Sequence, residues 1–189
     1  MFTARARRLV LAALTLVTLA LLAPRAEAIP SVLRPGTRPW MFTFALGGGI
    51  NIIDAPSQFK LEQTIHYHFF GRTEGPALGL YTDESFRSNL FIFQVGPHFT
   101  YDIQPMRNLG FLISPFVGLG YSVVAVSDGR FLGGRDNAYH FFNIKFGVQT
   151  KLVLGNRGFV TFQPFCFDLF AGDDFFMRFD LLVGGGVTF

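Results

Sequence analysis

At 189 residues the chain has room for one domain, and its single cysteine, Cys166, excludes an internal disulfide. The formal charge of +3 resides in the first 28 residues, which hold Arg5, Arg7, Arg8 and Arg25 against Glu27. Without them twelve basic and twelve acidic residues remain, which removes the basis for nucleic-acid binding.

The N-terminal stretch has the pattern of an export signal. Three arginines precede the apolar run Leu9 to Leu22, and Ala26-Glu27-Ala28 supplies a small-x-small cleavage site. Residues 1–28 are therefore expected to be a removable signal peptide that leaves Ile29 first. A transmembrane anchor is disfavoured, because the run is shorter than the roughly 20 residues of a comfortable span and Pro24 breaks it. Residues 29–39, with Pro30, Pro35 and Pro39, form an irregular lead-in. From residue 40 to 189 the apolar period is two, not 3.6, which predicts an all-β domain: a soluble barrel or sandwich, or a transmembrane barrel.

Taken in order, the first strand runs from Trp40 to Ile50, with Phe42, Phe44, Leu46 and Ile50 on one face. The second, from Gln58 to Phe70, sets Phe59, Leu61, Ile65, Tyr67 and Phe69 against Lys60, Glu62, Thr64, His66 and His68. A weak third strand is expected over Ala77 to Thr82, followed by a polar loop from Asp83 to Asn89. The fourth, Phe91 to Ile103, and the fifth, Phe111 to Val126, alternate well and flank a turn at Pro105 and Asn108. Residues 127–138 form the longest polar connection. The sixth strand, Tyr139 to Leu154, ends at the turn Gly155-Asn156-Arg157-Gly158. The seventh, Phe159 to Phe170, is untidy, because Asp168 shares a parity with Val160, Phe162, Pro164 and Cys166; it is placed outward near a membrane boundary, with Cys166 facing lipid. The last strand, Phe175 to Phe189, is the clearest, with Phe175, Met177, Phe179, Leu181, Val183 and Val187 on one face.

Eight strands form an even set, and volume decides which face points inward. An eight-stranded barrel is just wide enough inside for side chains to fill, so the large apolar faces cannot all point in. The opposite faces carry Gly47, Gly49, Gly96, Gly118, Gly120, Gly147, Gly184 and Gly186, which suit a crowded lumen. The fold expected is an all-β, antiparallel, up-and-down transmembrane barrel with its apolar face to lipid. Lys60, Glu62, Asp102, Lys145, Lys151, Arg178 and Asp180 then point inward, and the expense of unpaired buried charge predicts a network of lumenal ion pairs. Pro97, Pro115 and Pro164 are read as local bulges. With both termini inside, the odd-numbered connections lie outside the cell.

The export signal, eight alternating strands, short inner turns, the segment Pro115-Phe116-Val117-Gly118-Leu119-Gly120-Tyr121 and the terminal aromatic resemble the small outer-membrane β-barrels of Gram-negative bacteria. The nearest are those similar to the OmpA transmembrane domain and OmpX. The resemblance covers residues 40–189 and implies an outer-membrane location, contact with membrane lipid and lipopolysaccharide, and a monomer. It also implies that Phe189 is the signal read by the barrel-assembly machinery. It implies no particular activity.

Chemistry is sparse. Ser127, Asp128 and His140 flank the longest outer connection, but match no catalytic motif, and Ser-Asp-Gly is ordinary turn chemistry. His66, His68 and His98 point inward from strands two and four, which meet only across the lumen; lumenal hydrogen bonding is preferred to a metal site. Trp40, Tyr67, Tyr101 and Phe189 suit an interfacial girdle. No cofactor, metal or enzymatic activity is expected. The reading is a structural or surface-interaction barrel with a closed lumen; the alternatives are a narrow solute pore and a rim-sited lipid-modifying enzyme.

Overall fold

The computed structural model describes residues 38–52, 57–105, 110–126, 137–155, 157–172 and 175–189. The expected signal peptide, residues 29–37 of the lead-in, Ser127 and Asp128 lie outside the described residues. Eight strands are present among those described: β1 (Trp40–Asn51), β2 (Gln58–His68), β3 (Gly75–Arg87), β4 (Leu90–Asp102), β5 (Phe111–Val126), β6 (Asn137–Leu154), β7 (Gly158–Ala171) and β8 (Phe175–Thr188). Each pairs antiparallel with the next, and β8 returns to β1, so the sheet closes into a barrel. At the closing seam Trp40 N donates to Phe189 O at 3.1 Å, and Phe189 N donates to Trp40 O at 3.0 Å.

Alternation sets the polarity of the wall. Phe42, Phe44, Leu80, Phe99, Leu119, Phe146 and Val183 are exposed on the outside, while Lys60, Glu62, His66, Gln94, Asp102, Lys145 and Arg178 are buried inside. This inverts the arrangement of a water-soluble protein: the residues that hydrocarbon solvates face out, and those that need hydrogen-bond partners face one another.

Three sequence expectations are corrected. First, β3 runs through Asp83 to Arg87, and its connection to β4 is the two-residue turn Ser88-Asn89. Polar residues on both faces, Asp83 and Ser85 inward with Thr82 and Glu84 outward, gave this segment the composition of a loop. Second, Pro97 and Pro115 lie in strands with no register shift. Only Pro164 sits at one, between Gln163 and Cys166 on the β7–β8 ladder. Third, that bulge reverses the phase of β7: Gln163 points inward before it and Cys166 and Asp168 after it, both fully buried. An extra residue in one strand turns every later side chain to the opposite face. The outward placement of Cys166 and Asp168 is therefore wrong.

Wall and lumen are both layered. At the terminus end, where Phe189 lies, Trp40 on the outer wall packs edge-on against Tyr67 and stacks on Phe189, with centroids 5.1 and 6.5 Å apart. Inside, from that end, lie Asp102, Lys151 and His68, then His66 and His98, then the larger charged cluster. At the opposite, hairpin end, Ile92, Val124 and Phe170 form a buried apolar cluster, with Leu90, Phe141 and Phe176 against it. Phe170 and Phe176 stack at 4.1 Å.

Candidate functional site

The candidate site is the polar column inside the barrel. Its main part is built by β2, β3, β6, β7 and β8, whose inward positions converge because a narrow barrel brings opposite walls within side-chain reach. Three cations, Lys60, Lys145 and Arg178, meet four carboxylates, Glu62, Asp83, Asp168 and Asp180. Lys60 pairs with Asp83 and Asp180 and donates to Asp168 Oδ2 at 3.0 Å. Lys145 pairs with Glu62 and donates to Asp83 Oδ2 at 3.0 Å. Arg178 Nη2 donates to Asp168 Oδ2 at 2.6 Å, and its Nη1 donates to Ser85 Oγ at 2.8 Å. Arg178 Nε lies 2.9 Å from Asp180 Oδ1 without forming a hydrogen bond, so that contact is Coulombic. Amides complete the shell: Gln163 Nε2 donates to Glu62 Oε1 at 2.7 Å, and Asn143 Nδ2 donates to Tyr81 Oη at 2.7 Å.

A smaller cluster lies toward the terminus end. Lys151 Nζ donates to both oxygens of Asp102 at 2.8 Å, and His68 Nε2 is 3.0 Å from Asp102 Oδ2. Between the two clusters His66 Nε2 and His98 Nδ1 are 2.5 Å apart. They meet because Gly79 on the intervening strand pairs with both and has no side chain to separate them. A Cβ at Gly79 would lie 1.7 Å from Ile65 O.

All seven sequence-predicted lumenal residues thus line the interior, in two groups. Lys60, Glu62, Lys145, Arg178 and Asp180 belong to the first, Asp102 and Lys151 to the second. Sequence reasoning missed Asp83 and Asp168, which carry three and two of its ion pairs and bridge its cations. The parity of Asp83 with Tyr81 and Ser85 was one available signal; Pro164, as a point of phase reversal, was the other. Phe189 closes the wall against Trp40.

The arrangement suits a strut better than a reaction centre. Cys166, Asp168 and Asp180 place ligand atoms within 4.8 Å of one another, but the Lys60 ammonium already contacts both carboxylates and occupies a cation's place. His140 points outward and bonds the Tyr121 hydroxyl on the exposed wall. At the terminus end a cavity of about 550 Å³, lined by Phe70, Arg72, Glu74, Tyr101 and Gln104, reaches down to Asp102, already tied to Lys151 and His68. At the hairpin end the Phe170 ring covers the Arg178 guanidinium at 5.4 Å.

No protein-family model and no curated protein matches the sequence. Solved structures do match in shape. Neisserial surface protein A aligns with a TM-score of 0.63 at 10% identity, over 82% of this chain and 98% of its own. The N-terminal β-barrel domain of Pseudomonas aeruginosa OprF aligns with a TM-score of 0.50 at 13% identity, over 79% and 97%. With eight strands, inverted polarity and this likeness, the chain has the fold of the small eight-stranded outer-membrane β-barrels.

Proposed function

We propose that the protein is an outer-membrane β-barrel of a Gram-negative envelope, exported by residues 1–28, with a structural or surface-interaction role and no enzymatic activity. The observation that carries this reading is the lumen: an ion-pair network spanning opposite walls, capped by the Phe170 cluster, takes the space a solute path would need. Its large apolar exterior calls for lipid and lipopolysaccharide as surroundings. Phe189, at the closing strand, would serve as the feature recognised by the barrel-assembly machinery. What remains available to other molecules is the rim and its connections, with the odd-numbered ones facing outward.

The test combines location and transport. The mature chain should fractionate with the outer membrane and migrate faster on SDS gels unheated than boiled. In planar bilayers it should give no large, steady conductance steps. Soluble periplasmic protein would overturn the membrane assignment, and stable conductance would replace the closed barrel with a pore.

A further inference from the structure

Among the described strand residues the outward face is apolar apart from Thr150 and the His140–Tyr121 pair on β5 and β6 and a polar triad on β2 and β3, the one that includes a carboxylate. Thr82 Oγ1 donates to Gln63 Oε1 at 2.6 Å, and Gln63 Nε2 donates to Glu84 Oε2 at 3.1 Å. All three side chains are half-buried on the outer wall. Glu84 is the only strand carboxylate facing outward among the described residues; Glu62, Asp83, Asp102, Asp168 and Asp180 are buried in the lumen. The triad lies one outward layer in from the Ser88-Asn89 turn. Exposed Phe59, Phe86 and Phe91 continue the wall toward the hairpin end, and Ile65, Leu80 and Phe99 toward the terminus end.

A carboxylate in a hydrocarbon band is costly and marks a contact by default. Acyl chains offer neither donor nor acceptor, so lipid leaves the triad incomplete. The hydrogen bonds already formed within the triad say what completes it. The Gln63 amide carries two hydrogens and spends one on Glu84; Glu84 Oε1 receives nothing among the described residues. Glu84, which only accepts, fixes the amide with its nitrogen toward the carboxylate and its oxygen toward the Thr82 hydroxyl. One spare donor and one spare acceptor thus lie side by side. A cationic partner would use only the acceptor. A second copy of the same triad, turned by a two-fold axis along the membrane normal, uses both: Gln63 of each copy donates to Glu84 of the other. Such self-complementarity is what an isologous interface requires.

We propose that the outer wall of β2 and β3 is the contact face of a homodimer of barrels, sealed by reciprocal Gln63–Glu84 hydrogen bonds. The proposal rests on the membrane placement above and departs from the monomer that the sequence resemblance implies. Exposed Leu80, beside the triad, is a reporter site; Phe146, exposed on β6, is the control. Cys166 is buried and should stay silent.

The mature chain is refolded into phosphatidylethanolamine–phosphatidylglycerol vesicles and treated with a short bis-maleimide. Leu80→Cys should give about tenfold more cross-linked dimer than Phe146→Cys, the scale of two polar contacts inside a membrane. Adding Gln63→Leu and Glu84→Leu, both lipid-compatible, should bring Leu80→Cys down to the control. Glu84→Gln, which keeps an acceptor and removes the repulsion of like charges, should retain the dimer. Equal cross-linking at both reporters, none at either, or an undiminished signal in the double-leucine variant would overturn the proposal. Chain that never reaches the heat-modifiable form would instead overturn the membrane placement, which separates the two failures.

Discussion

At the scale of single residues, Arg178 shows what the lumen demands. It is fully buried, touches Asp168, Asp180 and Ser85, and lies beneath the Phe170 ring. Removing one member of a buried ion pair leaves an uncompensated charge, at a cost of about 3–5 kcal/mol. Arg178→Met is therefore expected to lower the temperature at which the unheated gel band is lost, and Arg178→Met with Asp168→Asn should recover part of that loss. An additive double variant would show that the pair is not coupled. Gly79 makes a second demand, of space: Gly79→Ala drives a methyl into the Ile65 carbonyl and wedges apart His66 and His98. Folded yield should collapse for Gly79→Ala and persist for Gly48→Ala, whose Cβ would meet nothing closer than 3.8 Å.

At the scale of elements, β7 is the instructive case. Its sequence alternates in two phases joined at Pro164-Phe165, and only the second phase places Asp168 beside Arg178 and Lys145. Because Cys166 lies in that phase, it reports on it: a membrane-permeant maleimide should label Cys166 after boiling and leave it untouched in the folded protein. Inserting one alanine after Phe165 should turn Cys166 and Asp168 toward lipid, with early labelling and low folded yield, whereas deleting Phe165 removes the bulge and keeps both inward. β8 and β1 were legible from the sequence because their alternation is unbroken. β3 was not, because its outward face carries Thr82 and Glu84, and period-two reasoning assumes one apolar face. β7 was not, because a bulge is a tertiary adjustment with only a proline to announce it. At the seam, the proposed role of Phe189 as an assembly signal is checked by Phe189→Ser, which should reduce assembled protein in cells while refolding into detergent is less affected.

At the scale of the whole molecule, the charge census of the sequence located the interior before any contact was known. Inward parity collected seven charged residues, and a barrel too narrow for solvent forces such residues onto one another. The partners themselves could not be read, since cross-lumen neighbours depend on strand stagger and not on sequence distance. Lys145 reaches Glu62, 83 positions away, and Arg178 reaches Ser85 at 93. The orientation of the whole is checked by protease added to intact cells. Cleavage near Arg130 or Arg135 is expected first, and cleavage only after the outer membrane is opened would reverse it.

The β1–β8 seam carries a consequence for how the barrel comes apart. Gly47, Gly48 and Gly49 on one strand and Gly184, Gly185 and Gly186 on the other sit within the same ladder. Each glycine gives up more chain entropy on ordering than alanine would, about 0.5–1 kcal/mol in a strand interior. None contributes a cross-strand side-chain pair. Around these glycines the ladder that completes the cylinder is held by backbone hydrogen bonds with few side-chain pairs, which makes it a line along which the wall can open. Amide protons along Phe44 to Gly49 and Leu182 to Gly186 should exchange with deuterium faster than those of β5 and β6 at equal depth. A barrel that breathes along one line can be loaded, threaded or unfastened there without melting elsewhere.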